Sequence, residues 1–406
     1  MTTAESTVYF DPFDLDIKAD PYPVYRRLRD EAPLYYNQRH DFYLVSRYDD
    51  VQRCLAEQDV FLSSRGGTIN VIKSKMPSPP GLFINEDPPK HTTHRRIVSV
   101  LFTPRSMSRI EPQIREFCAK RLDSLAARDH FDFVRDIGAE VPMRVVGMLV
   151  GIPQQDQEHL RDQFEERLQG NYKKMEVPFQ GIAALSQTFS EYIDWRTKHP
   201  SDDLMTQLLH VEFDDDTGVT RRLTRDEILT FLILISAAGN DTTNRLIGWI
   251  GKVLGDHPDQ RRELVADPTL IPKAVEEVLR LEPPPYHVAR YVARDTVFHG
   301  TTVPAGSVLL CLPAAANRDE RQFPNPDTYD VHRKVSRSIT FGYGAHHCLG
   351  AALARLEGRI VLEEVLKRFP VWEVDEDNAQ LTDGFLTRGW DTLPVFVSRD
   401  QREGLT

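Results

Sequence analysis

Phe341-Gly342-Tyr343-Gly344-Ala345-His346-His347-Cys348-Leu349-Gly350 runs directly into Ala351-Ala352-Leu353-Ala354-Arg355 and a helical pattern. One cysteine stands behind a loop with two glycines and just ahead of a helix start. Backbone N–H groups and the positive end of a helix dipole favour a thiolate there. Such a thiolate can be a nucleophile, a metal ligand or the axial ligand of a haem iron, and a buried structural cysteine is the plainer alternative. Zinc would need more than His346, His347 and Cys348, because three consecutive residues do not readily converge on one tetrahedral ion. A hydrolase-type nucleophile would leave Gly342 and Gly344 unexplained. A large flat ligand explains them: glycines let the backbone approach its plane, N–H groups point at the sulfur, and Phe341 shields it from water.

The rest of the chain bounds the choice. Its 406 residues suffice for a large core, and 40% hydrophobic with 27% charged residues is an ordinary soluble composition. A formal net charge of −11 argues against a nucleic-acid binder, which needs a basic footprint, though a local basic face could still exist. Cys54, Cys118, Cys311 and Cys348 lack paired spacing, which fits free thiols in a reducing compartment. The start, Met1 to Thr7, has no cationic n-region or apolar h-region, and the most apolar stretch, 228–239, is too short to span a bilayer. These features predict a cytoplasmic protein without a membrane anchor.

No repeat or long linker divides the chain, so residues 1–406 are expected to form a single domain, mainly α with a minor β region. Strand-like patterns fall near 32–46, 289–312 and 380–398. Residues 60–90 are rich in Gly, Pro and Ser and read as an irregular binding-site wall. From 88 to 281 the pattern is helical, broken at 151–153 and 199–201, with two polar helices over 155–198. Thr224 and Glu227 carry a capping-box signature ahead of a run too apolar for a one-sided surface helix, which predicts a central buried helix. A last long helix is expected over 350–369.

The pattern Phe-Gly-x-Gly-x-His-x-Cys-x-Gly, complete over 341–350, resembles the haem-binding signature of the cytochrome P-450 superfamily. The resemblance implies the P-450 fold, with a long central helix over haem b. It makes Cys348 the proximal thiolate ligand of the iron, with Phe341, Gly342 and Gly350 around it. Within the predicted buried helix lies Ala237-Ala238-Gly239-Asn240-Asp241-Thr242-Thr243. Polar groups there are costly unless satisfied or used. On its own the segment reads as a kink, with Thr242 bonding back to a carbonyl one turn earlier and Gly239 making room. It also matches the superfamily's Ala-Gly-x-Asp/Glu-Thr-Thr. That match implies an oxygen groove at Ala238 and Gly239, a hydrogen bond from Thr242 to oxygen and a proton relay through Asp241. The same pair argues against the peroxide-using branch of the family.

Glu277-Val278-Leu279-Arg280 matches the family's Glu-x-x-Arg. Taken alone, Glu277 and Arg280 share a helix face and could be a surface pair worth a few tenths of a kcal/mol. By resemblance they form a buried structural pair completed by Arg333. His91, Arg95, Arg290 and His346 match the family's contacts to the haem propionates, two carboxylates that need cationic partners. Three residues before Phe341 many relatives carry a histidine where this chain has Ser338, and Arg337 beside it is a candidate substitute. Asn317-Arg318-Asp319 and Phe323-Pro324-Asn325-Pro326-Asp327 extend the resemblance over nearly the whole chain.

The implied activity is a monooxygenase that inserts one atom of O2 into a hydrophobic small molecule, by hydroxylation or epoxidation. Its electrons would come from a ferredoxin and its reductase. Acidic ferredoxins call for a basic docking face, with Arg95, Arg96, Lys334, Arg337, His347 and Arg355 as candidates. By family position the substrate pocket is walled by Gly67, Thr68, Leu82, Phe83, the region around residue 170, Leu234, Ala237, Val288, Phe385 and Leu386. These side chains suit a terpenoid, fatty acyl or steroid-like substrate. Two other readings use the same fold: a haem-thiolate ligand-binding or sensor protein, and an isomerase or dehydratase that needs no reductant.

Overall fold

The computed structural model describes residues 8–157, 179–335 and 337–397. The helix Arg225–Asp256 runs through the middle of the molecule. Its start is fixed by the capping box in both directions: Thr224 Oγ1 accepts from Glu227 N at 3.2 Å, and Glu227 Oε2 accepts from Thr224 N at 2.8 Å. The helix is apolar all round because it is packed on several sides. Its first half joins Ile228, Phe231, Leu232 and Ile235 to Met143, Val146 and Phe189. Its second half joins Leu246, Ile247, Ile250 and Leu254 to Ile360, Val361 and Val365 of the helix Ala351–Arg368. Between these two cores lies the turn 237–243.

The minor β part centres on a five-stranded sheet ordered Leu34–Asn37, Phe42–Val45, Val308–Cys311, Val288–Val292, Phe61–Leu62. Only the Phe42–Val45 and Val308–Cys311 neighbours run parallel. Alternation along Val308–Cys311 serves two cores at once: Val308 and Leu310 face one, Leu309 and Cys311 the other.

Several expectations change. The 60–90 segment is not irregular throughout; it holds the strand Phe61–Leu62, a helix Ile69–Ser74 capped by Thr68, and a 3₁₀ turn Phe83–Asn85. The stretch 88–281 also contains the strand His130–Asp132 and the hairpin Glu212–Asp214 with Thr220–Arg222. Strands of three residues are too short to show a period of two. Of the polar helix pair, the second is the helix Phe179–Lys198, and most of the first falls outside the described residues. Among the described residues no helix is long and apolar enough to cross a membrane.

Glu277 and Arg280, both 0% exposed, form a two-pronged pair at 2.7 and 2.8 Å. Arg280 Nη1 also donates to the carbonyls of Asn317 and Pro326, and Arg333 Nε donates to Glu277 Oε1 at 2.8 Å. Asn317 passes the link onward, with Oδ1 accepting from Ile339 N and Nδ2 donating to Thr340 Oγ1. The helix Ile271–Leu281 is thereby bolted to the chain entering the cysteine loop.

Another buried carboxyl has no such support. Glu357, 1% exposed on the helix Ala351–Arg368, has no hydrogen-bond partner for Oε2 among the described residues. Burial holds its pKa well above the usual carboxylate range. Above that usual range the unfolded chain releases a proton that the folded chain keeps, so stability falls as pH rises. Glu357→Gln is therefore expected to stabilise the protein at pH 8, because it removes the cost of keeping this buried carboxyl protonated. The gain is expected to shrink as pH falls through the ordinary carboxylate range, where the unfolded chain takes up the same proton. Thermal unfolding at pH 8 and at pH 4 measures this.

Candidate functional site

A cavity of about 320 Å³ opens between the middle of the central helix, the helix Lys90–Ser99, the strand Val288–Val292 and the loop 340–350. Cys348 is exposed, and it lines this cavity. The loop around it is closed by short backbone bonds: Cys348 N donates to Phe341 O at 2.7 Å, and Gly342 N to Ile339 O at 2.9 Å. Gly342 and Gly344 have φ of 73° and 72°, the left-handed region that favours glycine. A Cβ on Gly344 would also lie 2.8 Å from the carbonyl oxygen of Leu55. Close approach of the helix Tyr48–Ala56 thus requires this glycine without any appeal to a flat ligand. Gly350 differs: it lines the cavity, and a Cβ there would meet nothing within 4 Å.

Desolvation within the cavity pushes the Cys348 thiol above its ordinary range, against the pull of Gly350 N–H and the charges of Arg95 and Arg355. A metal cation at the sulfur would deprotonate it outright. Phe341 also lines the cavity, with the Arg355 guanidinium 4.4 Å from its ring centre.

Opposite the cysteine loop, Leu234, Ala238, Gly239 and Thr242 line the cavity from the central helix. Thr242 Oγ1 donates to Ala238 O at 2.7 Å, one turn back. A Cβ on Gly239 would come within 2.9 Å of Val146 Cγ2, so this glycine lets the helix Val141–Val150 pack close. Asp241 turns away from the cavity. Its carboxylate accepts from Thr387 Oγ1 at 2.8 Å and from Arg245 Nε at 3.2 Å, and its side chain is 40% exposed.

His91, Arg95, Arg290 and His346 converge on the cavity. The His91 and His346 rings lie 4.0 Å apart, and His91 Nδ1, His91 Nε2 and His346 Nε2 make no hydrogen bond among the described residues. Arg290 is buried and donates to the carbonyl of neighbouring Ala289; Arg95 donates to His347 O at 2.5 Å. None of the four forms an ion pair among the described residues. Burial, then the charges of His91, Arg290 and Arg95, pushes His346 down to about 3. His91 and both arginines are shifted down as well, chiefly by burial. A desolvated cationic cluster with unmet donors fits a ligand bearing carboxylates. Arg337 is exposed and outside the cavity wall, where its carbonyl accepts from Tyr48 Oη, and Ser338 Oγ pairs with Thr340 Oγ1.

Of the expected substrate walls, Phe83, Leu234 and Val288 line the cavity, whereas Gly67, Leu82, Ala237, Phe385 and Leu386 do not. Gly67 is held at the sheet edge, its carbonyl accepting from Ala289 N. Ala237 packs into the core around Phe231 and Leu232. Phe385 stacks on Phe13 at 4.9 Å and stands behind His287. Leu386 is 39% exposed, and Leu82 sits just outside the 3₁₀ turn that brings Phe83 inward. The region around residue 170 lies outside the described residues. The structure adds Ile84 and His287 to the wall, the latter a single histidine that no sequence pattern singles out. Among the docking candidates Arg96, Lys334, Arg337 and His347 are exposed, while Arg355 is paired with Glu276.

A family model described as Cytochrome P450 matches residues 153–389. A putative cytochrome P450 123 of Mycobacterium tuberculosis is 37% identical over 392 residues, covering 95% of this chain and 96% of that one. A vitamin D(3) 25-hydroxylase of Pseudonocardia autotrophica is 33% identical, covering 97% and 98%. Among solved structures, cytochrome P450 CYP109Q5 from Chondromyces apiculatus superposes with a TM-score of 0.84 at 31% identity, covering 96% of this chain and 98% of that one. A mutant of P450 EryK in complex with erythromycin B gives 0.84 at 30% identity, covering 94% and 96%.

Proposed function

This chain belongs to the cytochrome P450 family and is a haem-thiolate monooxygenase, and we propose that Cys348 is the iron ligand while His91, Arg95, Arg290 and His346 hold the haem carboxylates. The observation that carries this assignment is the cluster of desolvated cations and orphaned imidazole nitrogens facing the cavity that Cys348 lines. Bound there, haem b supplies the activation of dioxygen, and thiolate ligation favours O–O cleavage. Everything else falls to the protein. The walls around Phe83, Leu234 and Val288 exclude water and orient an apolar substrate. Thr242 holds a proton at Oγ1 and presents it to the reacting oxygen after releasing the Ala238 carbonyl. Asp241, partly open to solvent, would leave its bonds to Thr387 and Arg245, take up a proton from water and pass it on to Thr242.

The proposed substrate is a hydrophobic small molecule of terpenoid, fatty acyl or steroid-like size, hydroxylated or epoxidised. The apolar wall supports this, as do relatives named for acting on vitamin D(3) or seen with erythromycin B. We assign the two electrons that the reaction needs to a ferredoxin docking on the exposed cations Arg96, Lys334 and Arg337 with His347.

The reduced protein with carbon monoxide is expected to show the strongly red-shifted Soret band of a thiolate-ligated haem. A band like that of histidine-ligated haem would overturn the ligand assignment. Thr242→Ala is expected to lower product formed per reductant consumed several-fold while reductant consumption continues; unchanged coupling would remove Thr242 from the proton path. Reduction by a ferredoxin should slow steeply between low and high salt, since exposed charges are screened over about 8 Å at physiological ionic strength. A salt-independent rate would sink the docking surface.

A further inference from the structure

Apart from the cationic cluster, one polar side chain in the cavity wall has its hydrogen bonds unmet. His287, just before the strand Val288–Val292, is 6% exposed and lines the cavity. Neither Nδ1 nor Nε2 makes a hydrogen bond among the described residues. Aromatic neighbours fix the ring, with Tyr286 at 4.3 Å and Phe385 at 4.7 Å between centroids. Burial pushes its pKa down to about 4, so the imidazole is neutral at physiological pH. The backbone of His287 and of Phe385 lies close enough to oppose that shift, without reaching hydrogen-bond geometry at either ring nitrogen. An unpaired polar group in an apolar wall costs free energy until a ligand satisfies it.

Resting on the monooxygenase reading, we propose that His287 is a specificity-determining residue that anchors a hydroxyl group of the substrate, making the substrate a hydrophobic alcohol. A neutral imidazole carries one donor and one acceptor, and a hydroxyl answers either tautomer. A ketone could answer only the N–H. A carboxylate would need a cation, and the cationic side chains of the wall, Arg95 and Arg290, stand with His91 and His346. Fixing the hydroxyl at His287 sets which carbon of the skeleton reaches Thr242. Oxygen then enters away from the existing hydroxyl, and a saturated substrate leaves as a diol.

The test uses haem-loaded protein and matched probes differing by one hydroxyl: borneol with bornane, dodecan-1-ol with dodecane, and cholestan-3β-ol with cholestane. Affinity is read by equilibrium dialysis and by the iron spin state. For at least one pair the wild type should prefer the alcohol by about tenfold or more, the scale of one buried hydrogen bond. His287→Phe should bring that ratio to within about twofold, chiefly by weakening the alcohol. His287→Gln, which keeps a donor and an acceptor, should retain a preference. The proposal is overturned if no pair shows a wild-type preference, or if His287→Phe leaves the ratio unchanged. Should His287→Phe not fold, the wild-type ratio and the glutamine variant decide. Failure of the monooxygenase reading would show separately, in the carbon monoxide band, and would leave a dialysis preference standing.

Discussion

The fold turns on the pairing of Glu277 with Arg280 at zero exposure. Two charges taken out of water gain little net stability even when well paired, but losing one partner strands the other at a cost of about 3–5 kcal/mol. The value of such a pair is geometric. Arg280 reaches the carbonyls of Asn317 and Pro326, Arg333 closes the other side, and Asn317 fixes Ile339 and Thr340 just ahead of Phe341. A loop whose backbone must present a sulfur from left-handed glycines cannot position itself by propensity. It inherits position from the helix Ile271–Leu281 through this chain of buried polar bonds.

The central helix sets the other wall. Its two ends are locked into separate apolar cores, so the turn between them is held without being filled. Small residues there, Ala238 and Gly239, leave room on the cavity side, and Gly239 also admits Val146 from behind. Thr242 can sit in such a turn because its hydroxyl bonds back to Ala238. The two readings of this segment, a helix irregularity and an oxygen-handling element, are therefore compatible: the back-bond keeps the proton in place until something in the cavity competes for it.

Much of this was legible in the chain. The capping box at Thr224 and Glu227 and the two-sided apolar run after it are local patterns that survive into structure. The spacing of Glu277 and Arg280, by contrast, placed them on one helix face, and only the resemblance implied their burial. The hairpin 212–222 was missed because three-residue strands carry no readable period. The pocket wall was read less well for a physical reason. Phe83 faces the cavity while Leu82 does not, and a 3₁₀ turn that sequence does not announce decides between neighbours. Phe385 lies behind His287 because Phe13, hundreds of residues away, stacks on it. Asp241 and Thr242 are adjacent in sequence yet face opposite ways, since Thr387 and Arg245 claim the carboxylate.

Unmet hydrogen bonds separate the site from the scaffold more sharply than motif or shape. At the brace every prong of Arg280 finds an acceptor, and the pair costs little to keep. In the cavity, His91 and His346 crowd each other and two desolvated arginines, and among the described residues no carboxylate forms an ion pair with any of the four. That arrangement opposes folding until carboxylates arrive, because burial without a partner disfavours each charge. A ligand that supplies those carboxylates binds the folded chain and not the unfolded one, so it returns the cost as stability in proportion to its affinity. Cofactor retention and fold stability are thus one linked quantity here. On the proposed assignment, carboxylates meeting this cluster would secure haem in addition to the Cys348 sulfur.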